Sequence, residues 1–276
     1  MRKVLTVGVF LSVALLFAIW QQFLFVTEIG GVAALEAQPP VDAKPAIAGF
    51  TFVETNAQGY PEYIHDSSGI RFVRLPGGPF EMGSPAGETG HQTNESPVHT
   101  VSVSPFLIAK HEVTQAQYEA VMKGHESLEP TPSFHKGPNL PVEQVAWTEI
   151  YLADGFLART GLSLPREAQW EYACRAGTLG PYAGTGKLDD MGWYASNSGS
   201  QTHAVGSKQP NQFGLYDMHG NVWEWCADKY EPGTDKVVRG GSFDYYALHC
   251  RSAYRSAGLP AIPSDVIGVR PAKTLP

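Results

Sequence analysis

The stretch Phe213-Gly214-Leu215-Tyr216-Asp217-Met218-His219-Gly220-Asn221-Val222-Trp223-Glu224-Trp225 sets two acids, two glycines, an Asn and two Trp within thirteen residues. Asp217 and Glu224 are too far apart for one turn of a surface helix but well placed to close a loop. Gly220 between them frees the backbone for positive φ. A loop with a carboxylate at each end and carbonyls turned inward supplies the oxygens that a hard cation such as Ca²⁺ takes. The same residues also describe a tight turn leading into an aromatic core strand.

Outward from this stretch, Ile70 to Leu75 and His99 to Val103 alternate and read as strands, with a turn at Pro76-Gly77-Gly78-Pro79. Thr114 begins a short helix, and Gln117 completes a capping box with it. Val145 to Thr160 is the longest helical pattern, ended by Gly161, and Pro165 to Ala176 is a second, with Gly177 at its C′ position. Beyond Gly177 periodicity fades into Gly, Ser, Asn and Pro. The expectation is an α+β, loop-rich fold with little regular secondary structure. Trp147 and Trp170 lie on apolar helix faces and read as core; Trp223 is a candidate pocket residue.

The chain has 276 residues, and 43% hydrophobic content is enough for one substantial core; 29 Gly and 21 Pro indicate many turns. A net charge of −7 with no basic cluster argues against nucleic acid as a partner. Arg2 and Lys3 precede an apolar run from Val4 to Trp20, extended by Phe23 to Val26. It reads as a signal-anchor or a long signal peptide over 1–26, which would place the body outside the cytoplasm, anchored in the membrane or secreted. A Pro/Ala-rich linker follows over 27–60, then a domain over 61–276. His111-Glu112 begins like a zinc helix, but Gln115 replaces the second His.

The ordered set Phe80-Glu81-Met82-Gly83-Ser84, Glu112-Val113-Thr114, Leu164-Pro165-Arg166-Glu167-Ala168-Gln169-Trp170-Glu171-Tyr172-Ala173, the opening stretch, Arg239-Gly240-Gly241-Ser242-Phe243 and Gly268-Val269-Arg270 resembles the formylglycine-generating enzyme (sulfatase-modifying factor) family. The resemblance spans roughly Ile70 to Ala272. It implies a compact α+β fold, distantly like C-type lectins and stabilised by calcium. Carried over, one calcium falls on Asp217, the carbonyls of Gly220 and Val222, and Glu224. The family's other calcium falls on Asn197 and Ser198, but Ser200 to Val205 lacks the acidic partner.

Active members carry two cysteines after the GGS motif that bind copper. Aligned from Gly240-Gly241-Ser242, the first falls on Tyr246 and the second on Cys250; aligned back from Gly268-Val269-Arg270, Cys250 falls near a structural Cys position instead, and either way this region holds one cysteine. One thiolate does not make a Cu(I) site, which speaks against copper and against formylglycine generation. Ser242, Cys250 and Trp223 remain the catalytic candidates. The resemblance also implies a Cys174–Cys250 disulfide, suited to an extracytoplasmic domain. Family members without the Cys pair act in siderophore maturation, in periplasmic regulation of secretion systems, or as structural components. Two readings follow. One is a non-enzymatic, calcium-stabilised module docking a protein partner in the periplasm or at the membrane. The other is a periplasmic oxidoreductase tailoring a peptide-derived substrate.

Overall fold

The computed structural model describes residues 45–275. The apolar N-terminal run and residues 27–44 of the linker lie outside the described residues. Among those described, no helix is long and apolar enough to cross a membrane.

A five-stranded antiparallel sheet forms the centre, in the order β1 (Phe50–Thr55), β2 (Pro61–His65), β3 (Arg71–Leu75), β6 (Phe106–Ala109), β11 (Ala272–Thr274). Its middle strands are buried on both faces, so β6 reads Phe-Leu-Ile-Ala without a polar residue and all four are fully buried. Phe72 and Leu107 feed one apolar cluster with Tyr118, Phe156 and Trp225. Val73, Phe106 and Ile108 feed a second with Trp170, Phe213 and Leu215. Because β1 pairs with β2 along its length, the fold begins well before residue 61, and the expected linker is shorter than 27–60.

A ribbon of β4 (Gly78–Met82) and β5 (His99–Val103) leaves this sheet after a turn at Gly77. Helix α1 (Gln115–Met122) begins with the expected capping box between Thr114 and Gln117. The long helix expected from Val145 to Thr160 is instead two short ones, α2 (Trp147–Ile150) and α3 (Phe156–Thr160). Gly155 lies where a Cβ would come within 2.4 Å of the Glu149 carbonyl, so the chain folds back on itself there instead of continuing as helix. Helix α4 (Glu167–Arg175) ends one residue sooner than expected, with Ala176 already left-handed at φ 46°. After α5 (Leu188–Met191), a second sheet runs β10 (Ile267–Gly268), β7 (Trp223–Lys229), β8 (Lys236–Arg239), β9 (Arg255–Gly258). Trp170 is fully buried as expected, whereas Trp147 is half-buried, stacked on Tyr151 with Lys236 Nζ over its ring.

Three arginines, two of them from the motifs, act as buried struts. Arg239 pairs with Glu171, Arg251 with Glu95 and Glu88, and Arg270 with Glu224. Each ties a carboxylate on one segment to a loop far away in sequence.

Candidate functional site

The loop before β7 turns as its sequence suggests: Asp217, Gly220 and Asn221 all take positive φ. At position 220 only glycine fits, because a Cβ would lie 2.1 Å from the Trp193 carbonyl oxygen. The acids at its two ends have different surroundings. Both Glu224 oxygens accept from Arg270 Nε at 2.8 Å, and Oε2 also accepts from Trp170 Nε1 at 2.6 Å. Arg270 spends its remaining N–H groups on the carbonyls of Ala109 and Tyr216. Glu224 is thus satisfied by protein donors alone.

Asp217 is not. Its Oδ2 accepts from the Gly206 amide at 2.6 Å, but Oδ1 is buried without a donor. Beside it, Glu112 is fully buried, with no protein N–H reaching either oxygen. Burial, then the charge of Asp217, push the Glu112 carboxyl well above the usual range. Burial pushes Asp217 up to about 6, against the pull of the Gly206 amide and Arg270. A proton on Glu112, donated to Asp217, reconciles the two acids.

For the calcium expected from the family resemblance, the fit divides. Glu112 and Asp217 supply buried hard oxygens, three of which have no hydrogen-bond donor, as a cation site offers. Glu224 is committed to Arg270. Among the described residues no group of three or more His, Cys, Asp or Glu side chains is arranged to hold a metal.

Asn197 and Ser198 are occupied differently from the calcium expectation. The Asn197 side chain accepts from the Tyr194 amide at 2.9 Å and donates to Gly192 O. The Ser198 carbonyl accepts from His203 Nε2 at 2.7 Å, and that imidazole stacks on Trp193 with centroids 3.7 Å apart. His203 is in the stretch that lacks the acidic partner, and its N–H takes the carbonyl a cation would use.

Ser242 and Cys250 lie in the segment between β8 and β9, Trp223 lies at the start of β7 against Tyr245 and Tyr254 of that segment, and all three are buried. The Cys250 thiol faces Tyr246 O at 3.9 Å, and burial pushes it up to about 12, which leaves it a thiol at any physiological pH. The Cys174–Cys250 disulfide implied by the resemblance is absent: Cys174, Cys226 and Cys250 are all free. The reason is local. The Cys174 thiol lies 3.7 Å from Met218 O and 3.8 Å from the ring of His219, while His219 Nδ1 donates to Cys250 O at 2.8 Å. His219 Nε2 accepts from the Ala183 amide, which fixes the neutral tautomer, and burial lowers its pKa to about 4.

Above these buried groups the surface is aromatic. Trp223 meets Tyr245 edge-on at 5.3 Å, His249 meets Tyr245 and Tyr254, and Tyr246 is 73% exposed. Nearby, Glu143 is buried with Oε1 on the His135 amide and Oε2 without a partner; burial raises it to about 7. The His135 ring packs edge-on against Phe243, next to Ser242. Sequence reasoning missed Glu143 and His203, which carry no motif spacing, and His219, which lies within the opening stretch but whose partners Ala183 and Cys250 are distant in sequence. Glu112 had a signal in its Glu-Val-Thr motif, though not its pairing with Asp217.

Comparison with known proteins agrees with this architecture. A formylglycine-generating enzyme of Streptomyces coelicolor is 32% identical over 277 aligned residues, covering 72% of this chain and 87% of its own. The structure of PvdO from Pseudomonas aeruginosa superposes with a TM-score of 0.67 at 28% identity, covering 83% of this chain and all of that one. Treponema denticola variable protein 1 superposes at 0.60 and 26% identity, covering 81% and 98%. The signature of the sulfatase-modifying factor enzyme 1-like domain matches residues 60–275, and the chain belongs to that family.

Proposed function

We propose that this chain is a non-enzymatic binding or regulatory module, working outside the cytoplasm and stabilised by calcium, that docks a protein partner such as a component of a secretion or signalling assembly. The observation that carries the reading is the segment Ser242 to Cys250. It holds one cysteine, and that thiol is fully buried and held protonated, while Tyr245, Tyr246 and Leu248 above it face solvent. Exposed aromatics over an inert thiol suit recognition, since Tyr supplies contact area at low entropic cost. A relative named as a formylglycine-generating enzyme and another named as a variable protein indicate that this fold is not bound to one chemistry.

The test has two arms. A sulfatase-motif peptide incubated with the protein, copper and oxygen should gain no aldehyde; a mass shift to formylglycine overturns the reading. A photo-crosslinking residue at position 246, introduced in the producing cell, should capture one defined protein, and Tyr245→Ser should abolish its binding in purified form.

A tailoring oxidoreductase acting on a peptide-derived substrate, such as a siderophore precursor, is the second reading. Glu143 favours it: a buried carboxyl near 7, linked to the segment after Ser242 through His135 and Phe243, has the value a general acid or base needs.

A further inference from the structure

The loop between β4 and β5 sets two serines and a histidine in one hydrogen-bonded line that ends on a buried carboxylate. The Ser96 hydroxyl meets His91 Nε2 at 3.1 Å, and His91 Nδ1 meets Ser84 Oγ at 2.8 Å. Ser84 Oγ donates to Glu95 Oε2 at 2.5 Å. Glu95 is buried and takes Arg251 Nη1 at 2.8 Å and Nη2 at 2.6 Å. Burial opposes its charge, but Arg251 and Ser84 hold the carboxyl below its usual range, so it brings no proton of its own.

Counting protons fixes the direction of the line. Ser84 has one hydroxyl proton, and its short contact with an ionised oxygen requires that proton there. Ser84 Oγ therefore accepts from His91, which puts the imidazole proton on Nδ1. Nε2 is left as a lone pair facing the Ser96 hydroxyl, and Ser96 donates to it. This is a nucleophile on a general base, with Ser84 inserted between the base and its carboxylate.

The parts are held firmly. Gly83 has φ +97°, and a Cβ there would lie 2.3 Å from the Glu95 carbonyl oxygen, so the segments of Ser84 and Glu95 touch. Arg251 pins the loop that carries His91 at Glu88 and at the Gly90 carbonyl. Ser96 follows the 3-10 turn Thr93–Glu95 with its own N–H on Thr93 O. Of the four side chains in the line, that of Ser96 belongs to an exposed residue, and it borders a cavity of about 240 Å³. The carboxylates of that cavity, Glu95, Glu167 and Glu171, are each paired with an arginine. A small space with its charges already balanced suits a short, uncharged acyl group.

We propose that Ser96 is a nucleophilic acyl acceptor that takes a short-chain acyl group from an activated ester. Ser96 Oγ forms a bond to the carbonyl carbon, the bond from that carbon to the ester oxygen breaks, and the hydroxyl proton passes through His91 Nε2 to the departing alcohol. The imidazolium formed on the way is met by Glu95 through Ser84. No residue of this line belongs to the Ser242–Cys250 segment. The site does not rest on the docking role proposed there, and taking one acyl group per chain requires no turnover.

The experiment is incubation of the purified protein with p-nitrophenyl acetate, reading nitrophenolate release and locating the acetyl group by peptide mapping. A burst of about one equivalent of nitrophenolate should appear, with the acetyl group on Ser96. Ser96→Ala should abolish both, and Ser96→Cys should retain them; the position is exposed, so neither variant disturbs the core. His91→Gln should slow the burst by about 100-fold or more. p-Nitrophenyl octanoate should acylate Ser96 more slowly than the acetate. Acetylation confined to lysines or tyrosines, or Ser96 acetylation at an unchanged rate in His91→Gln, overturns the proposal. Faster reaction with the octanoate overturns the short acyl class.

Discussion

Replacing Arg270 by Met tests whether the signature loop is held by an internal ion pair. The guanidinium is fully buried and meets both oxygens of Glu224, also fully buried. The substitution fills most of the volume but leaves Glu224 with one donor, Trp170 Nε1, and returns the carbonyls of Ala109 and Tyr216 to unpaired burial. Removing one partner of such a pair costs about 3–5 kcal/mol, because the remaining charge stays out of water. The two orphaned carbonyls push toward the upper end. At about 2–4 °C per kcal/mol for a domain of this size, the melting temperature should fall by roughly 6–20 °C. Urea unfolding in the presence of chelator measures the loss without any contribution from bound metal. Pairing Arg270→Met with Glu224→Leu should recover at least about 2 kcal/mol of it, since removing both charges is far less harmful than removing one. A loss under about 1 kcal/mol, or no recovery in the double variant, would refute the claim that this pair locks the loop.

Added Ca²⁺ should raise the melting temperature more at pH 8 than at pH 5.5, because Glu112 and Asp217 must shed their shared proton first; Asp217→Asn should erase the effect, and an equal response at both pH values would count against this site. The folded-state pKa of Glu143 is raised to about 7 from an ordinary 4.5, so its contribution is present at low pH and is lost as pH rises between those values. Glu143→Gln should therefore match the parent near pH 4.5 and exceed it by about 1–3 kcal/mol at pH 8; a difference independent of pH would refute the assignment. His219 and His111, both held near 4, work in the other sense, with stability lost as pH falls below 6.5, so only the comparison with the variant isolates Glu143. Alkylation of the denatured protein without reductant should label Cys174, Cys226 and Cys250 fully; a linked Cys174–Cys250 peptide would show that the bond forms after all.

Local features were readable from the chain in advance, and long-range ones were not. The Thr114 capping box, the turn at Gly220 and the strands β3 and β5 depend on neighbours within a few residues, and each formed where its pattern lies. The break between α2 and α3 was hidden, because Gly155 is needed only once the chain has doubled back onto the Glu149 carbonyl. The start of the fold was misplaced for a related reason: β1 is half exposed and polar, and only its pairing with β2 makes it a strand. The pairing of Glu224 with Arg270 crosses 46 residues, and no periodicity connects them.

That pairing also changes what the signature motifs signify. Asp217 and Glu224 look in the sequence like a ligand set. In the folded chain Glu224 is half of a strut that fastens β7 to the segment after β10, and Arg239 and Arg251 do the same for α4 and for the loop around Glu95. Residues that partner one another across the core must persist together, or a charge is left buried alone at a cost of several kcal/mol. The ordered motifs therefore report the fold, whatever the protein does. The Tyr245–Tyr246 surface carries no such obligation. Tyr246 is 73% exposed, so its identity can change at little cost in stability. Function is free to diverge there, and in this chain the segment between Ser242 and Cys250 carries tyrosines over one buried, protonated thiol.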